Sequence, residues 1–321
     1  MNKTKMIYNL SYPILYIKTS MSEYNNNLFL DPKTKQYGSH MIMTNVHKPS
    51  KTKYVNVDTK FRDEYNYQQT TNYNITIPER ITDVKNMCLT NIEIPMSFYN
   101  ISSTLGNNSF NIIDPDTSNS VTIVIPNGQY SGSQLQTGIN LLISQLSSPY
   151  SNLIYGYSDT GSSFHTSQST LTIEFDVNGT GQSDKYNFKS KLGWLLGFRL
   201  LSYTVTTTTI LSEAFPDLNG PRYVYLAIEE FNKGNQHSFV SPLSSSLINK
   251  NIIARITMDS HFPFGTVLPA NRFNGLLVSD KRSYTGKIDL LKLNVQLLNE
   301  NGGQLNLNGL DFSFCLEVEH E

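Results

Sequence analysis

The chain has little with which to staple, charge or anchor itself. Its two cysteines, Cys88 and Cys315, stand in separate strand-like segments of a 321-residue sequence, which argues against a disulfide framework and for a reduced compartment. Charged residues make up only 16%, and Lys+Arg 25 against Asp+Glu 26 leaves a net charge of −1. A protein that mainly grips phosphate backbones needs a basic excess, so nucleic acid is not expected as the main partner. No apolar run approaches the ~18–20 residues that cross a bilayer. The opening stretch Met6-Ile-Tyr-Asn-Leu-Ser-Tyr-Pro-Ile is interrupted by Asn9, Ser11 and Pro13 and shows no small-residue cleavage site, which argues against a signal peptide. The expectation is a soluble, intracellular protein, long enough to bury a core without disulfide or metal.

Chemistry is equally sparse. There is no Gly-x-Ser-x-Gly, no P-loop and no nucleotide-binding glycine fingerprint. Six histidines (His40, His47, His165, His237, His261, His320) are scattered without metal-ligand spacing. Asp114-Pro-Asp-Thr-Ser-Asn-Ser sets oxygens at alternate positions, but it lacks the central glycine of a calcium loop. Ile125 stands where that loop's glutamate belongs. Glu229 and Glu230 are adjacent in a strand pattern, so they face opposite ways and cannot act as one acid/base pair; each reads as a wet-face glutamate, with Glu93 and Glu174 as the other carboxylates to consider. No catalytic residue, cofactor or metal is expected.

What is present is strand pattern. In Lys287-Ile-Asp-Leu-Leu-Lys-Leu-Asn-Val-Gln-Leu-Leu298, Leu291, Leu293, Val295 and Leu297 fall on one face and Ile288, Leu290, Lys292, Asn294 and Gln296 on the other. After Asn299-Glu-Asn-Gly-Gly303 the pattern resumes, with Phe312, Phe314, Leu316 and Val318 alternating with Ser313, Cys315, Glu317 and Glu319. Two such runs joined through an Asn/Gly turn read as the closing strands of an antiparallel sheet. Further strands are expected at Tyr54-Val-Asn-Val-Asp58, Asn72–Pro78, Val84–Pro95, a hairpin of Ser109–Ile113 with Ser120–Ile125, Thr170–Asp176, Tyr223–Phe231 and Asn251–Met258. Leu135, Ile139, Leu142, Ile143 and Leu146 recur at helical spacing behind the cap candidates Ser131 and Ser133, and Pro149 ends that one helix. Residues 1–50 have no sustained period and read as an extended or disordered arm. Eight to ten strands and one helix, without βαβ alternation, fit a jelly roll.

Six segments in this order resemble one family: Val57-Asp-Thr-Lys-Phe-Arg-Asp-Glu-Tyr65, Leu89–Ser102, Asn127-Gly-Gln-Tyr-Ser131, Leu192-Gly-Trp-Leu-Leu-Gly-Phe198, Tyr223–Phe231 and Ile288–Glu319. Together they are similar to the minor capsid and penton (vertex) proteins of nucleo-cytoplasmic large DNA viruses. The resemblance spans residues 54–319 and departs at Phe98, where Trp is more usual, and at Tyr284-Thr-Gly-Lys287.

The resemblance implies a single jelly roll. With the strand and helix pattern, the expectation is an all-β, single jelly-roll β-sandwich over 51–321 with one inserted amphipathic helix. The N-terminal arm over 1–50 lies outside the resemblance and is expected from its lack of period alone. The resemblance also implies a structural virion protein, a subunit of the five-fold vertex, made in the host cytoplasm, with no enzymatic activity. Its partners would be itself, as a homopentamer, and the major and other minor capsid proteins. Two other readings stand beside it: a minor capsid protein beneath or between major capsid subunits, and a host-attachment or carbohydrate-binding β-sandwich. Arg62, Phe98, Tyr99, Tyr130, Trp194 and Phe198 are the candidate subunit contacts. Trp194, the only tryptophan, lies between Gly193 and Gly197 in a tight apolar bend; packing in the core is its other reading. Arg62 and Asp63 read as an ion pair at the exit of the first strand.

Overall fold

The computed structural model describes residues 49–64, 70–231 and 251–321; the expected arm, His237 and Tyr65 lie outside them. In chain order the strands are β1 (Lys51–Asp58), β2 (Asn72–Pro95), β3 (Ser109–Ile113), β4 (Ser120–Val124), β5 (Leu153–Ser158), β6 (Gly161–Thr166), β7 (Leu171–Glu174), β8 (Ser202–Val205) and β9 (Ile210–Leu211). They continue as β10 (Tyr223–Glu229), β11 (Ile252–Thr257), β12 (Val267–Asn271), β13 (Leu277–Ser279), β14 (Arg282–Leu298) and β15 (Ser313–His320). Helix α1 (Gly132–Ser144) lies between β4 and β5, and the short α2 (Leu192–Leu195) between β7 and β8.

Every pairing is antiparallel, and the protein is a mostly-β, jelly-roll-like arrangement of curled sheets with few helices. The large sheet runs β1-β15-β2-β14-β10-β11-β13, with β12 also on β2. Smaller sheets run β4-β3-β7-β8 and β5-β6-β9. The 24-residue β2 organises the large sheet. Its first part pairs with β14, and Val84–Glu93 pairs with β15. The two stretches expected on either side of Pro78 are therefore one strand. The ladder with β14 shifts register between Ile81 and Thr76, and exposed Pro78 sits in that irregularity, where its missing N–H breaks no regular rung.

The closing strands differ from expectation in a second way. β14 and β15 do not pair with each other, because β2 lies between them. The Asn/Gly turn does form: the Asn299 side chain accepts from the Asn301 and Gly303 amides at 2.9 and 3.0 Å, and Gly302 takes φ 79°. Residues 304–312 then lead across the end of the sheet, with Leu305 and Leu307 buried, to a strand position one place further on. The alternation of β14 also slips. Leu290 is buried and Leu291 exposed, then Leu293, Val295 and Leu297 are buried, because a register shift falls between Leu290 and Lys292.

Helix α1 begins as its sequence dictates. Ser131 caps the Gln134 amide while the Gln134 side chain accepts from the Ser131 amide at 2.9 Å, a reciprocal capping box. Leu135, Ile139 and Ile143 form its buried stripe. The short strands β5, β6, β8, β9, β12 and β13 were not among those expected, since two to six residues are too few to show a period.

The interior gathers in two main clusters. One joins β1, β2 and β10–β15 around Ile92, Leu226, Val295 and Phe314. The other packs α1 and α2 onto β3–β8 around Phe110, Phe164, Phe175 and Phe198. Phe98 is the last residue of the first cluster before the chain leaves it, to return at Val224, and Ile101 is the first of the second, so the chain passes from one to the other within four residues.

Candidate functional site

The passage at residues 98–101, the return at 217–222 and the β14–β15 connection bound the main cleft, about 610 Å³ in volume. Asn100, nearly fully buried, is its keystone. Its side-chain nitrogen donates to the carbonyls of Tyr130 and Leu218, both at 2.8 Å, and its side-chain oxygen accepts from the Tyr130 amide at 2.9 Å. Its own amide donates to Gln129 Oε1 at 3.1 Å. The Leu89–Ser102 and Asn127–Ser131 segments thus meet around one carboxamide, which lay within the quoted motif but carried no signal of its own.

The wall formed by 184–195 brings a buried ammonium to the cleft. Lys191 Nζ lies 2.5 Å from Asp184 Oδ2. Tyr99, also in the lining, stacks on Phe264, with ring centroids 6.0 Å apart and planes 19° apart.

The six candidate contact residues fall in different surroundings. Phe198 is enclosed by the second core, 5.1 Å from Phe175 and 5.6 Å from Phe164 between ring centroids, and Phe98 is buried in the first. Arg62 is buried too. It pairs not with Asp63 but with Asp311 at 3.0 Å and donates to the Thr59 carbonyl at 2.7 Å, fastening the exit of β1 to the approach of β15. Asp63 instead accepts from the Thr76 amide and hydroxyl, both at 2.8 Å. Tyr99, Tyr130 and Trp194 keep part of their surface open. Trp194 carries the Arg199 guanidinium over its ring at 4.1 Å and the Phe188 edge at 5.8 Å.

Of the paired glutamates, Glu229 is exposed as expected of a wet face, but Glu230 is not. Glu230 is buried 2.6 Å from the guanidinium of Arg282, which also donates to the Ile228 and Asn251 carbonyls at 2.7 and 2.6 Å. The Tyr284 hydroxyl donates to the same carboxylate. Burial, followed by the Glu230 charge, pushes the Tyr284 phenol far above its ordinary range. Its partner lies 52 residues further along the chain, so sequence spacing could not reveal it. Glu93 belongs to β2 and Glu174 to β7, in separate sheets. Asp114 caps its own turn, accepting from the Asp116 amide and the Thr117 hydroxyl. Among the described residues no three His, Cys, Asp or Glu side chains cluster as a metal site, and no helix is long and apolar enough to cross a membrane.

Among the exposed large apolar side chains of the described residues two groups stand out, while others, Phe273 (99% exposed) and Phe231 among them, lie elsewhere. At one end of the large sheet, the paired positions Asp58–Ser313 and Ser313–Glu93 bring together the end of β1, the start of β15 and the end of β2, where β12 begins. Phe61 (69% exposed), Leu310, Phe264 and Val267 all project from that end. On the smaller cluster Leu200, Leu201, Leu211 and Phe215 (69%) are exposed, on segments tied together by the Ala214 amide to the Gly197 carbonyl at 3.0 Å and by the Arg199 amide to Glu213 at 3.0 Å.

No family model and no curated protein matches the chain. Among solved structures it is similar to the penton protein of mavirus, at 7% identity and a TM-score of 0.42, covering 85% of this chain and 100% of that one. It is also similar to a chain of the Sputnik virophage, at 13% identity and a TM-score of 0.41, covering 85% and 98%. Both names come from virophages rather than from the large DNA viruses of the sequence resemblance, and at these scores neither likeness bears on what the chain does.

Proposed function

We propose that the chain is a structural capsid protein, a subunit of a five-membered vertex ring. The observation that carries this reading is the pair of exposed apolar patches, one at the end of the large sheet around Phe61 and Phe264, the other around Leu211 and Phe215. Scattered apolar residues on a surface mean little, whereas grouped ones mark contacts. Two unlike patches on one chain suit a head-to-tail interface, which joins one surface to a different one and closes into a ring when the rotation allows. A low charge of −1 limits repulsion among crowded copies. Of the candidate contact residues, Trp194, on the segment that carries the second patch, is assigned to this interface; Tyr130 is assigned to the rim. The partners are other copies of the chain and, outside the ring, the neighbouring capsid proteins; the role is structural and not enzymatic.

Native mass across a concentration series tests the reading. A five-subunit species is expected, and Phe264→Ser and Phe215→Ser should each shift it towards monomer without lowering the melting temperature. A trimer unaffected by both substitutions would overturn it.

A further inference from the structure

We propose that the cleft beside Asn100 binds a neutral, hydroxyl-rich ligand of glycan chemistry. This does not rest on the assembly reading. The volume of about 610 Å³ lies within the range of small-molecule sites, roughly 300–1,000 Å³. The charged residues of its lining are Asp184, Lys189, Lys191, Asp217 and Glu300. Lys191 is paired with Asp184 at 2.5 Å and Asp217 with Arg222 at 3.0 Å, and Glu300 accepts from the Arg222 amide at 3.3 Å. Lys189 is the one lining cation without an ion pair among the described residues. No cluster of cations is left to recognise phosphate, sulfate or carboxylate groups. Uncharged donors and acceptors remain. The side chains of Thr104, Asn301 and Gln304 line the cleft and have no hydrogen-bond partner among the described residues. Carboxamides and hydroxyls offer both donor and acceptor atoms, the complement of a sugar's hydroxyls. Tyr99 supplies a half-buried aromatic ring in the same lining, stacked on Phe264. Such a ring gives apolar contact to a sugar's C–H face while keeping a polar tip.

The substitutions are mild. The turn beside Asn301 is held by backbone amides and the Asn299 side chain, so the Asn301 and Gln304 side chains can be shortened without breaking it. The full chain would be passed over a panel of immobilised neutral, sialylated and sulfated oligosaccharides, and the best neutral binder titrated in solution. Retention of neutral glycans is expected. The double variant Asn301→Ala/Gln304→Ala should weaken that binding about tenfold, from two lost hydrogen bonds. Thr104→Trp, on an exposed turn at the rim, should abolish it by filling the cleft, with the melting temperature unchanged. Retention of acidic glycans alone, no retention at all, or neutral binding that survives both variants would overturn the proposal.

Discussion

The Asn100 side-chain nitrogen stands 2.8 Å from the Leu218 carbonyl, so the outgoing and returning passages between the two cores are joined by one hydrogen bond. The same nitrogen holds Tyr130, at the entrance to α1. A carboxamide can do this because it presents two donor hydrogens and an acceptor in one plane, and no other neutral side chain of that size does.

Replacing Asn100 with Ala should therefore cost more than an average buried substitution. It leaves the Tyr130 amide and the partly buried Tyr130 and Leu218 carbonyls without this partner, a loss of about 2–4 kcal/mol. Asn100→Asp should be worse still, since a carboxylate would face two carbonyl oxygens. Chemical unfolding of the two variants checks the order; an Asp variant as stable as the wild type would contradict the network.

The Glu230–Arg282 pair makes a different prediction. Removing one charge strands the other in the interior, so Glu230→Gln should destabilise by about 3–5 kcal/mol. Replacing both, as Glu230→Leu/Arg282→Met, should cost less than either single change, because no buried charge is left over. A double-mutant cycle in urea gives the comparison directly, and additive costs would show the two side chains to be independent.

How much of this could be read beforehand follows from the range of the interactions involved. The α1 cap was legible because Ser131 and Gln134 are three residues apart, and the β3–β4 hairpin because its turn is local. The buried face of β15 was legible from strict alternation at Phe314, Leu316 and Val318. Pro78 hid the continuity of β2, since a proline usually ends a strand and here sits in a bulge. Nothing in the pattern of β14 and β15 could say that β2 would lie between them, as sheet order is decided by packing far along the chain. Glu230 looked wet because its partner is distant, and Asn100 looked ordinary because its partners are backbone atoms.

Two glycines should respond to Ala with opposite signs. Gly197, at φ +94°, has the Ala214 carbonyl oxygen 2.0 Å from where a Cβ would sit. Gly197→Ala should destabilise by about 2–4 kcal/mol through backbone strain and overlap. Gly138, inside α1, has open space at that position. Gly138→Ala should stabilise by about 0.5–1 kcal/mol, from helix propensity alone. Thermal melts of the two variants separate the cases, and equal shifts would be inconsistent with this placement of the second core.

The C-terminal strand gives the protein an acid limit. The Asn86 side chain at 2.8 Å, then Lys281 at 3.1 Å, hold the Glu319 carboxyl down at about 2, against an ordinary 4.5. Lys287 and then Lys85 hold Glu321 equally low. A carboxyl whose proton affinity is lowered by folding stabilises the folded state above the ordinary value, and that contribution fades as pH falls through the lowered one. Melting temperature should therefore decline between about pH 4.5 and about pH 2 from these two groups. Both are partly exposed at the strand end, so the effect is modest and weakens with added salt. Glu319→Gln should flatten part of the decline and leave the plateau above pH 5 slightly lower, because an amide keeps no ion pair with Lys281. An unchanged slope in that variant would mean that the strand end carries none of the acid sensitivity.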